Sequence, residues 1–162
     1  MAPASMRVGH GFDVHPFSDV DKPLVLGGVR FEGRGLAGHS DGDVITHAVI
    51  DALLGAAGLG DIGSHFPDTD PAFGGADSVV LLQRTVALLR DAGWEPVNAD
   101  CSVVCDEPKL APARDEMQAR LRDALGADVT IKGKRPEGLG ALGRGEGIAA
   151  WAVALVVRSS DG

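Results

Sequence analysis

Two imidazoles and two carboxylates lie close together in the segment His39-Ser-Asp-Gly-Asp-Val-Ile-Thr-His47. Ser40 followed three residues later by Asp43 fits a capping box, and acidic side chains in a first turn suit the positive end of a helix dipole. We therefore expect a helix that begins at Ser40 and continues to about Gly58. Its apolar positions would be Val44, Ile45, Ala48, Val49, Ala52 and Leu53.

This helix would present His47 one turn from its start, with Asp51 four residues further along the same face. A second polar pair lies in Asp13-Val14-His15. If that segment is extended, Asp13 and His15 share a face and Val14 points into the core. One carboxylate and two imidazoles suit zinc with a fourth position left open. The alternative is that these histidines are ordinary core or surface residues, because an Asp-x-His pair is weak evidence by itself.

Composition limits the classes of protein that fit. A chain of 162 residues with 44% hydrophobic residues and a mean hydropathy of +0.08 is long enough for one well-packed domain. The 23 glycines indicate tight turns and close backbone approach. A net charge of -8 argues against a nucleic-acid partner. A small phosphorylated ligand remains open, provided that divalent cations supply part of the neutralisation.

Cysteine usage and the chain ends bear on localisation. Cys101 and Cys105 would share a face of one strand at a separation of about 13 Å, which is too far for a disulfide. Two free thiols fit a reducing compartment. Residues 1–5 carry no signal sequence and are interpreted as a loose leader, followed by one domain at 6–158 and a tail at 159–162. The apolar run Ile148 to Val157 is too short to span a bilayer, so we expect a cytoplasmic protein.

The remaining pattern predicts an α/β (α+β) single domain, a mixed β-sheet with helices packed on one face. Strands are expected at 7–14, 24–31 (a hairpin), 94–106, 128–132 and 148–157, and further helices from Asp77-Ser78 to Gly93 and from Pro112 to Gly126. The strand at 94–106 would place Val97, Ala99, Cys101 and Val103 on one side. The polar segment 61–71 is expected to lack regular structure and to act as a connection, a ligand contact or a lid. Because the last strand is apolar on both faces, another subunit is expected to cover the second face of the sheet.

A tight basic cluster, Lys132-Gly-Lys-Arg-Pro-Glu137, stands out in this acidic chain. It could be a solvated loop. It could also contact phosphate, with Glu137 holding a second cation beside the phosphate oxygens.

Several blocks in this order resemble the 2-C-methyl-D-erythritol 2,4-cyclodiphosphate synthases of the non-mevalonate isoprenoid pathway, from Met6 onward. The blocks are Gly9-His-Gly-Phe-Asp-Val-His15, His39-Ser-Asp-Gly-Asp43, Asp61-Ile-Gly63, Phe66-Pro-Asp-Thr-Asp-Pro71, Pro108-Lys109 and Gly143-Arg-Gly-Glu-Gly-Ile-Ala149. The ordered set is far more specific than any one block.

The resemblance implies a homotrimer whose sheets face a threefold axis, with active sites at the subunit interfaces. It implies cyclisation of 4-diphosphocytidyl-2-C-methyl-D-erythritol 2-phosphate with release of CMP. It also implies one Zn²⁺ per subunit on Asp13, His15 and His47, and Mg²⁺ or Mn²⁺ on Glu137.

The resemblance further assigns roles to individual residues. His39, Arg135 and Glu137 would be catalytic, with His39 and Ser40 on phosphate. Asp61 and Gly63 would contact the erythritol part, and Phe66, Asp68, Asp70 and Arg144 would be further substrate contacts. The neighbouring subunit would hold the cytidine diphosphate through Pro108, Lys109 and Leu110, within 105–111, and through Lys134 and Arg135. An axis channel of Phe12, Arg144 and Glu146 could hold an isoprenoid diphosphate, although Arg144 and Glu146 could equally form an intersubunit ion pair.

Two departures from the family pattern keep other functions open. Lys134-Arg135-Pro136 stands where threonines are usual, so Arg135 would contact phosphate through charge. Ala141 stands where a bulkier residue is common. A metal-dependent phosphohydrolase could use the same ligands with water as nucleophile, and a non-catalytic isoprenoid-diphosphate-binding trimer would keep the channel without turnover.

Overall fold

The computed structural model of the protein describes residues 5–159, so the predicted leader and tail lie outside it apart from Ser5 and Ser159. The strands are β1 (Met6–Pro16), β2 (Leu24–Leu26), β3 (Val29–Phe31), β4 (Trp94–Val104), β5 (Asp128–Lys134) and β6 (Gly147–Arg158). The helices are α1 (Val44–Ala57), α2 (Ile62–His65), α3 (Ser78–Asp91), α4 (Arg114–Leu125) and α5 (Gly140–Gly143), with 3₁₀ turns at Pro71–Phe73 and Ala111–Ala113.

The main sheet has the strand order β1-β6-β4-β5. Strand β6 runs antiparallel to both β1 and β4, whereas β5 runs parallel to β4. Helix α1 packs on β1 and β6, α3 on β4, and α4 on β5. The predicted single domain with a mixed sheet and packed helices is confirmed. Within residues 5–159, none of the helices combines the length and the hydropathy needed to cross a bilayer.

The sheet face opposite the helices is apolar and open to solvent in a single chain. Val14 is 48% exposed on this face, so the prediction that it points into the core is wrong. The alternation along β1 was predicted correctly, but the side that meets the helices carries glycines and the polar pair. Other large apolar residues on the open face are Met6, Val8, Phe12, Trp151 and Val153.

Strand β4 contains a register shift that its sequence pattern did not reveal. Ala99, Cys101 and Val103 are buried as predicted, whereas Val97 is 40% exposed, so its predicted place on the same side is wrong. The register of β4 against β6 shifts between Pro96 and Asn98. Proline has no N–H to donate to a neighbouring strand, and an irregularity at that point turns the next side chain outward.

Cys101 and Cys105 are buried and unpaired, as the spacing predicted. Burial raises the pKa of Cys101 to about 12 and that of Cys105 to about 11. Both side chains are therefore neutral thiols at pH 7.

Helix α1 begins later than predicted. Its N-cap is Asp43, whose side chain accepts a hydrogen bond from the Thr46 N–H at 3.1 Å, and Ser40 lies outside the helix. The N-cap of this helix needs a hydrogen-bond acceptor that can be buried, because the turn between β2 and β3 packs on the first turn of α1. The carboxylate of Asp43 also accepts from the backbone N–H groups of Gly27 and Gly28 at 2.9 and 2.8 Å and from the Thr46 hydroxyl at 2.7 Å. Gly58 ends the helix with a φ of 73°, as predicted.

The segment 61–71 has more regular structure than predicted. It begins with helix α2, a single turn that Asp61 caps through a 2.9 Å bond to the Ser64 N–H. A 3₁₀ turn then starts at Pro71, capped by Asp70. The many turn formers of this segment therefore serve as caps of short helices.

Asp43→Asn is expected to lower the free energy of unfolding by about 1–2 kcal/mol. The amide can keep its oxygen towards Gly27 and Thr46, but its NH₂ then meets the Gly28 N–H, which loses its acceptor. Part of this cost is offset, because burial raises the pKa of the Asp43 carboxyl and a neutral group suits the site better. Urea unfolding would measure the change.

The matched control is Asp77→Asn, at the exposed N-cap of α3. Asparagine caps helices as well as aspartate does, so we expect no measurable change there. Equal stabilities for the two variants would contradict the role given to the buried carboxylate.

Candidate metal centre and flanking cavities

Helix α1 lies directly on strand β1 because two glycines leave room for it. A Cβ built on Gly9 would lie 1.9 Å from the Ala52 carbonyl oxygen, and one on Gly11 would lie 1.9 Å from that of Ala48. Side chains two residues apart on a strand share a face. Asp13 and His15 therefore continue the glycine face and meet α1 where it begins.

The three predicted ligands converge at this point. The Asp13 carboxylate oxygen Oδ2 lies 3.0 Å from His15 Nε2 and 3.0 Å from His47 Nδ1. All three ligand atoms lie within 4.8 Å of one another. A cation that binds oxygen and nitrogen at about 2.0–2.1 Å fits between atoms at these separations. The residues thus fit a metal, and the convergence inferred from the sequence is confirmed.

The ionisation of Asp13 favours a bound cation, whereas a proton held by His15 competes with one. Burial raises the pKa of Asp13, but the hydrogen bonds and charges of His15 and His47 outweigh this effect, and the net pKa is lowered to about 2. The bond to Asp13 raises the pKa of His15, with burial opposing it. The carboxylate is therefore ionised at neutral pH.

A cavity of about 370 Å³ opens beside the three ligands. Its lining includes most of the predicted phosphate and erythritol contacts. Predicted residues in the lining are Asp13, His15, His39, Ser40, His47, Gly63, Phe66 and Asp68. Gly38, Ile62, Phe73 and Leu81 line it without having been predicted as site residues. Asp61 and Asp70 are outside the lining, but Asp61 caps α2 and the Asp70 carbonyl oxygen lies 2.9 Å from His39 Nε2.

A second cavity, of about 420 Å³, lies between the end of β4 and the start of α4. The predicted cytidine diphosphate contacts Pro108, Lys109, Leu110, Lys134 and Arg135 all line this cavity, whereas Glu137 does not. Its lining comprises Cys105, Asp106, Pro108, Lys109, Leu110, Ala111, Pro112, Arg114, Gly133, Lys134 and Arg135. Arg114 was not predicted, because it is distant in sequence from the basic loop and only the fold brings it beside Lys134 and Arg135. The two cavities have no lining residue in common.

Glu137 is exposed and has a φ of 54°. Among the described residues it alone combines a positive φ with a side chain. Such backbone strain is commonest at functional positions.

The three residues of the predicted axis channel lie apart from both cavities. Phe12 packs on Trp151 on the open sheet face, with ring centroids 5.0 Å apart. Arg144 Nε donates to Glu146 Oε1 at 3.1 Å, so this ion pair forms within one chain.

Comparisons with known proteins agree on one family. The model of the YgbB family matches residues 6–157. A 2-C-methyl-D-erythritol 2,4-cyclodiphosphate synthase of Bordetella petrii is 57% identical over 95% of this chain and 97% of the relative. A bifunctional IspD/IspF enzyme of Anaeromyxobacter dehalogenans is 51% identical over 97% of this chain but only 41% of its own length, so the similarity covers part of that protein.

Solved structures show the same fold. The IspF of Plasmodium falciparum, determined as a CDP complex, superimposes with a TM-score of 0.82 at 30% identity, covering 96% of this chain and 98% of that one. The bifunctional IspDF of Campylobacter jejuni gives a TM-score of 0.90 at 40% identity over 94% of this chain and 42% of that one.

Proposed function

We propose a reaction and a mechanism from the premise that the chain belongs to the YgbB family and is a synthase of the non-mevalonate isoprenoid pathway. The substrate is 4-diphosphocytidyl-2-C-methyl-D-erythritol 2-phosphate, and the products are 2-C-methyl-D-erythritol 2,4-cyclodiphosphate and CMP. The observation that carries the proposal is the convergence of Asp13, His15 and His47 beside a cavity that His39 and Ser40 also line. The synthase activity predicted from the motifs is confirmed by the relatives.

Asp13, His15 and His47 would hold Zn²⁺, and Glu137 would hold Mg²⁺ or Mn²⁺. Two imidazoles and one carboxylate form a ligand set typical of zinc, whereas a lone carboxylate beside phosphates suits a harder cation. When bound, the two cations would neutralise the phosphate oxygens and orient the diphosphate. The protein residues supply the geometry that places the ligands.

In the reaction the 2-phosphate oxygen forms a bond to the β-phosphorus, and the bond from that phosphorus to the CMP oxygen breaks. Both the nucleophile and the leaving group are anions, so a general base has little to do. The protein must instead hold two phosphates in line against their repulsion. His39 and Ser40 would donate to phosphate on one side, while Lys134 and Arg135 supply positive charge on the other.

A single chain places these two sides in separate cavities, and an assembly would bring them together. We place the second cavity of one subunit against the metal cavity of its neighbour in a homotrimer. The apolar face around Phe12, Val14 and Trp151, open in one chain, is suited to the trimer interface. The solved CDP complexes of similar enzymes support a nucleotide-linked substrate. Two buried free thiols fit a cytoplasmic location.

The axis channel of such a trimer would run past Phe12 and the pair of Arg144 and Glu146. We propose that it holds an isoprenoid diphosphate, with Arg144 as the cationic partner of the phosphates. Titration of the trimer with geranyl diphosphate should then show saturable binding, and a linear, non-saturating response would exclude the role.

Product analysis tests the proposed reaction. The protein is incubated with the cytidyl substrate and Mg²⁺ in ¹⁸O-labelled water, before and after treatment with a chelator. Cyclisation gives CMP and two phosphorus nuclei that couple to each other in the ³¹P spectrum, without ¹⁸O in either product. Chelation should stop the reaction, and Zn²⁺ with Mg²⁺ should restore it.

The same experiment separates the alternatives. A phosphohydrolase would incorporate ¹⁸O and give open-chain phosphates without phosphorus coupling. A non-catalytic binding protein would bind the substrate and release no CMP. The non-catalytic alternative stays open for this chain because Lys134-Arg135-Pro136 departs from the family pattern.

Glu137→Gly should lower turnover at fixed Mg²⁺ about 10-fold or more, and it should leave stability unchanged or raise it by up to about 1 kcal/mol. Activity falls because the proposed second cation loses its carboxylate. We expect no loss of stability, because glycine adopts a positive φ without strain, whereas a residue with a Cβ is strained there by roughly 1–2 kcal/mol. The relief of this strain offsets the larger conformational entropy that glycine loses on folding. Steady-state CMP release and thermal unfolding measure the two effects.

Glu137→Gln is the control, since it removes the charge and keeps the strained backbone. It should lose activity without gaining stability. A less stable but fully active Glu137→Gly variant would exclude the role given to this side chain.

A further inference from the structure

The metal-facing nitrogen of His47 is set by contacts on the other side of its ring. His47 Nε2 lies 2.8 Å from Ser78 Oγ and 3.1 Å from Ser40 Oγ. Ser78 is the first residue of α3 and has no exposed surface. The sequence predicted a helix from Asp77-Ser78 onward but assigned Ser78 no role in the site, so this contact was missed. The signal was that Asp77 already caps the helix, which leaves the adjacent hydroxyl without an evident role.

The direction of each hydrogen bond follows from counting hydrogens. A carboxylate can only accept, and a hydroxyl has a single hydrogen to donate. The Ser78 hydroxyl donates that hydrogen to Asp41 Oδ1 in a short bond. The same carboxylate accepts from the Ser78 N–H at 3.0 Å and from the Asp43 N–H at 3.1 Å, which fixes its position. The lone pairs of the serine oxygen therefore remain for His47.

His47 must consequently donate from Nε2 to Ser78. In the neutral ring the single hydrogen then lies on Nε2, and the Nδ1 lone pair faces Asp13 Oδ2 at 3.0 Å. In the metal-free protein a second hydrogen on Nδ1 can be donated to Asp13, and a bound cation takes the place of that hydrogen. Two lone pairs at that distance repel each other unless a proton or a metal cation lies between them. The contacts around Ser78 thus prepare Nδ1 as a metal ligand.

The same atoms resemble a Ser-His-Asp catalytic triad, but that interpretation fails here. A nucleophilic serine gives its hydrogen to the histidine and must reach the substrate. Ser78 is fully buried, and its hydrogen is engaged by Asp41. The serine orients the imidazole and cannot attack a substrate.

We propose that Asp41 and Ser78 are positioning residues of the metal centre, which fix His47 with its hydrogen on Nε2. The inference rests on the proposed function in that it assumes a divalent cation on Asp13, His15 and His47. It adds that the start of α3, distant in sequence from all three ligands, determines how well they bind. Partners of this kind typically change metal affinity 10- to 100-fold (roughly) when they are removed.

Three variants test the proposal in the full-length protein. Ser78→Ala removes the nearer of the two serine oxygens beside Nε2 and leaves Ser40 Oγ at 3.1 Å. Asp41→Asn is the conservative variant: with its amide oxygen at the Oδ1 position it still accepts from Ser78 and Asp43 and loses only the bond to the Ser78 N–H. Thr85→Val is the matched control, because it removes another fully buried hydroxyl of the same helix, one that donates to the Leu81 carbonyl oxygen away from the metal centre.

The readout is Zn²⁺ affinity, measured by competition with a chromophoric chelator, together with the visible spectrum of the Co²⁺-loaded protein. We expect the dissociation constant for Zn²⁺ to rise about 10-fold or more in Ser78→Ala, much less in Asp41→Asn, and not at all in Thr85→Val. The Co²⁺ bands should change in Ser78→Ala alone. Parental affinity and spectrum in Ser78→Ala would overturn the proposal.

A second measurement on the unaltered protein is decisive if Ser78→Ala does not fold. In Zn²⁺-loaded protein labelled with ¹⁵N-histidine, His47 should show a protonated Nε2 and a metal-bound Nδ1. A hydrogen on Nδ1 would overturn the proposal. If the unaltered protein binds no Zn²⁺ in the competition assay, the failure lies with the metal of the proposed function and removes the inference with it.

Discussion

Asp13→Asn is expected to lower turnover by about a thousandfold and to abolish tight Zn²⁺ binding. The Asp13 Oδ2 atom lies 3.0 Å from both His15 Nε2 and His47 Nδ1, so it would be the central ligand of the proposed Zn²⁺. A neutral amide oxygen is a weaker ligand, and the amide NH₂ would turn hydrogens towards the site. A bound cation supplies several kcal/mol of charge stabilisation to such a transition state, and each loss of about 1.4 kcal/mol costs tenfold in rate.

Metal content after dialysis against a zinc buffer, together with CMP release, would measure both effects. The control is Asp51→Asn, one turn along α1 from His47, where the side chain accepts from the Ile62 N–H at 2.8 Å. Asparagine can keep that bond, so zinc content and rate should stay near those of the unaltered protein. Parental zinc affinity in Asp13→Asn would exclude this residue as a ligand.

The three residues of the candidate metal centre could be found from the sequence because each lies in a regular element. Asp13 and His15 are two residues apart on a strand, and His47 lies one turn into a helix, so the periodicity of each element fixes the direction of its side chains. That the strand and the helix meet was a hypothesis from the residue types, which the family resemblance then supported. The physical reason is visible at Gly9 and Gly11, whose missing side chains allow contact with α1.

The error at Val14 concerns which of the two faces of strand β1 the helices cover. Strand β1 is apolar on the side of Val14 and glycine-rich on the other, and the local pattern favours the apolar side as the core. The helices cover the glycine side, so Val14 stays exposed in one chain. Ser78 was missed because its partners, Asp41 and His47, are more than thirty residues away in sequence.

Gly11→Ala is expected to destabilise the protein by about 3 kcal/mol and to weaken Zn²⁺ binding at least 10-fold or so. The new methyl group would lie 1.9 Å from the Ala48 carbonyl oxygen and 2.7 Å from the Ala52 N. Both atoms belong to the helix backbone, so no side-chain rotation can relieve the clash. Helix α1 must move away from β1, and His47 moves with it, because it precedes Ala48 directly.

Gly55→Ala is the matched control for this variant. Gly55 also lies at the contact between α1 and β1, but a Cβ there comes no closer than 3.9 Å to the His10 carbonyl oxygen. Alanine within a helix is favoured over glycine by roughly 0.5–1 kcal/mol, so this variant should be slightly more stable than the unaltered protein and bind Zn²⁺ equally well. Urea unfolding and chelator competition would separate the two variants. If Gly11→Ala matched Gly55→Ala in both measurements, close contact between helix and strand would not be what brings His47 to Asp13.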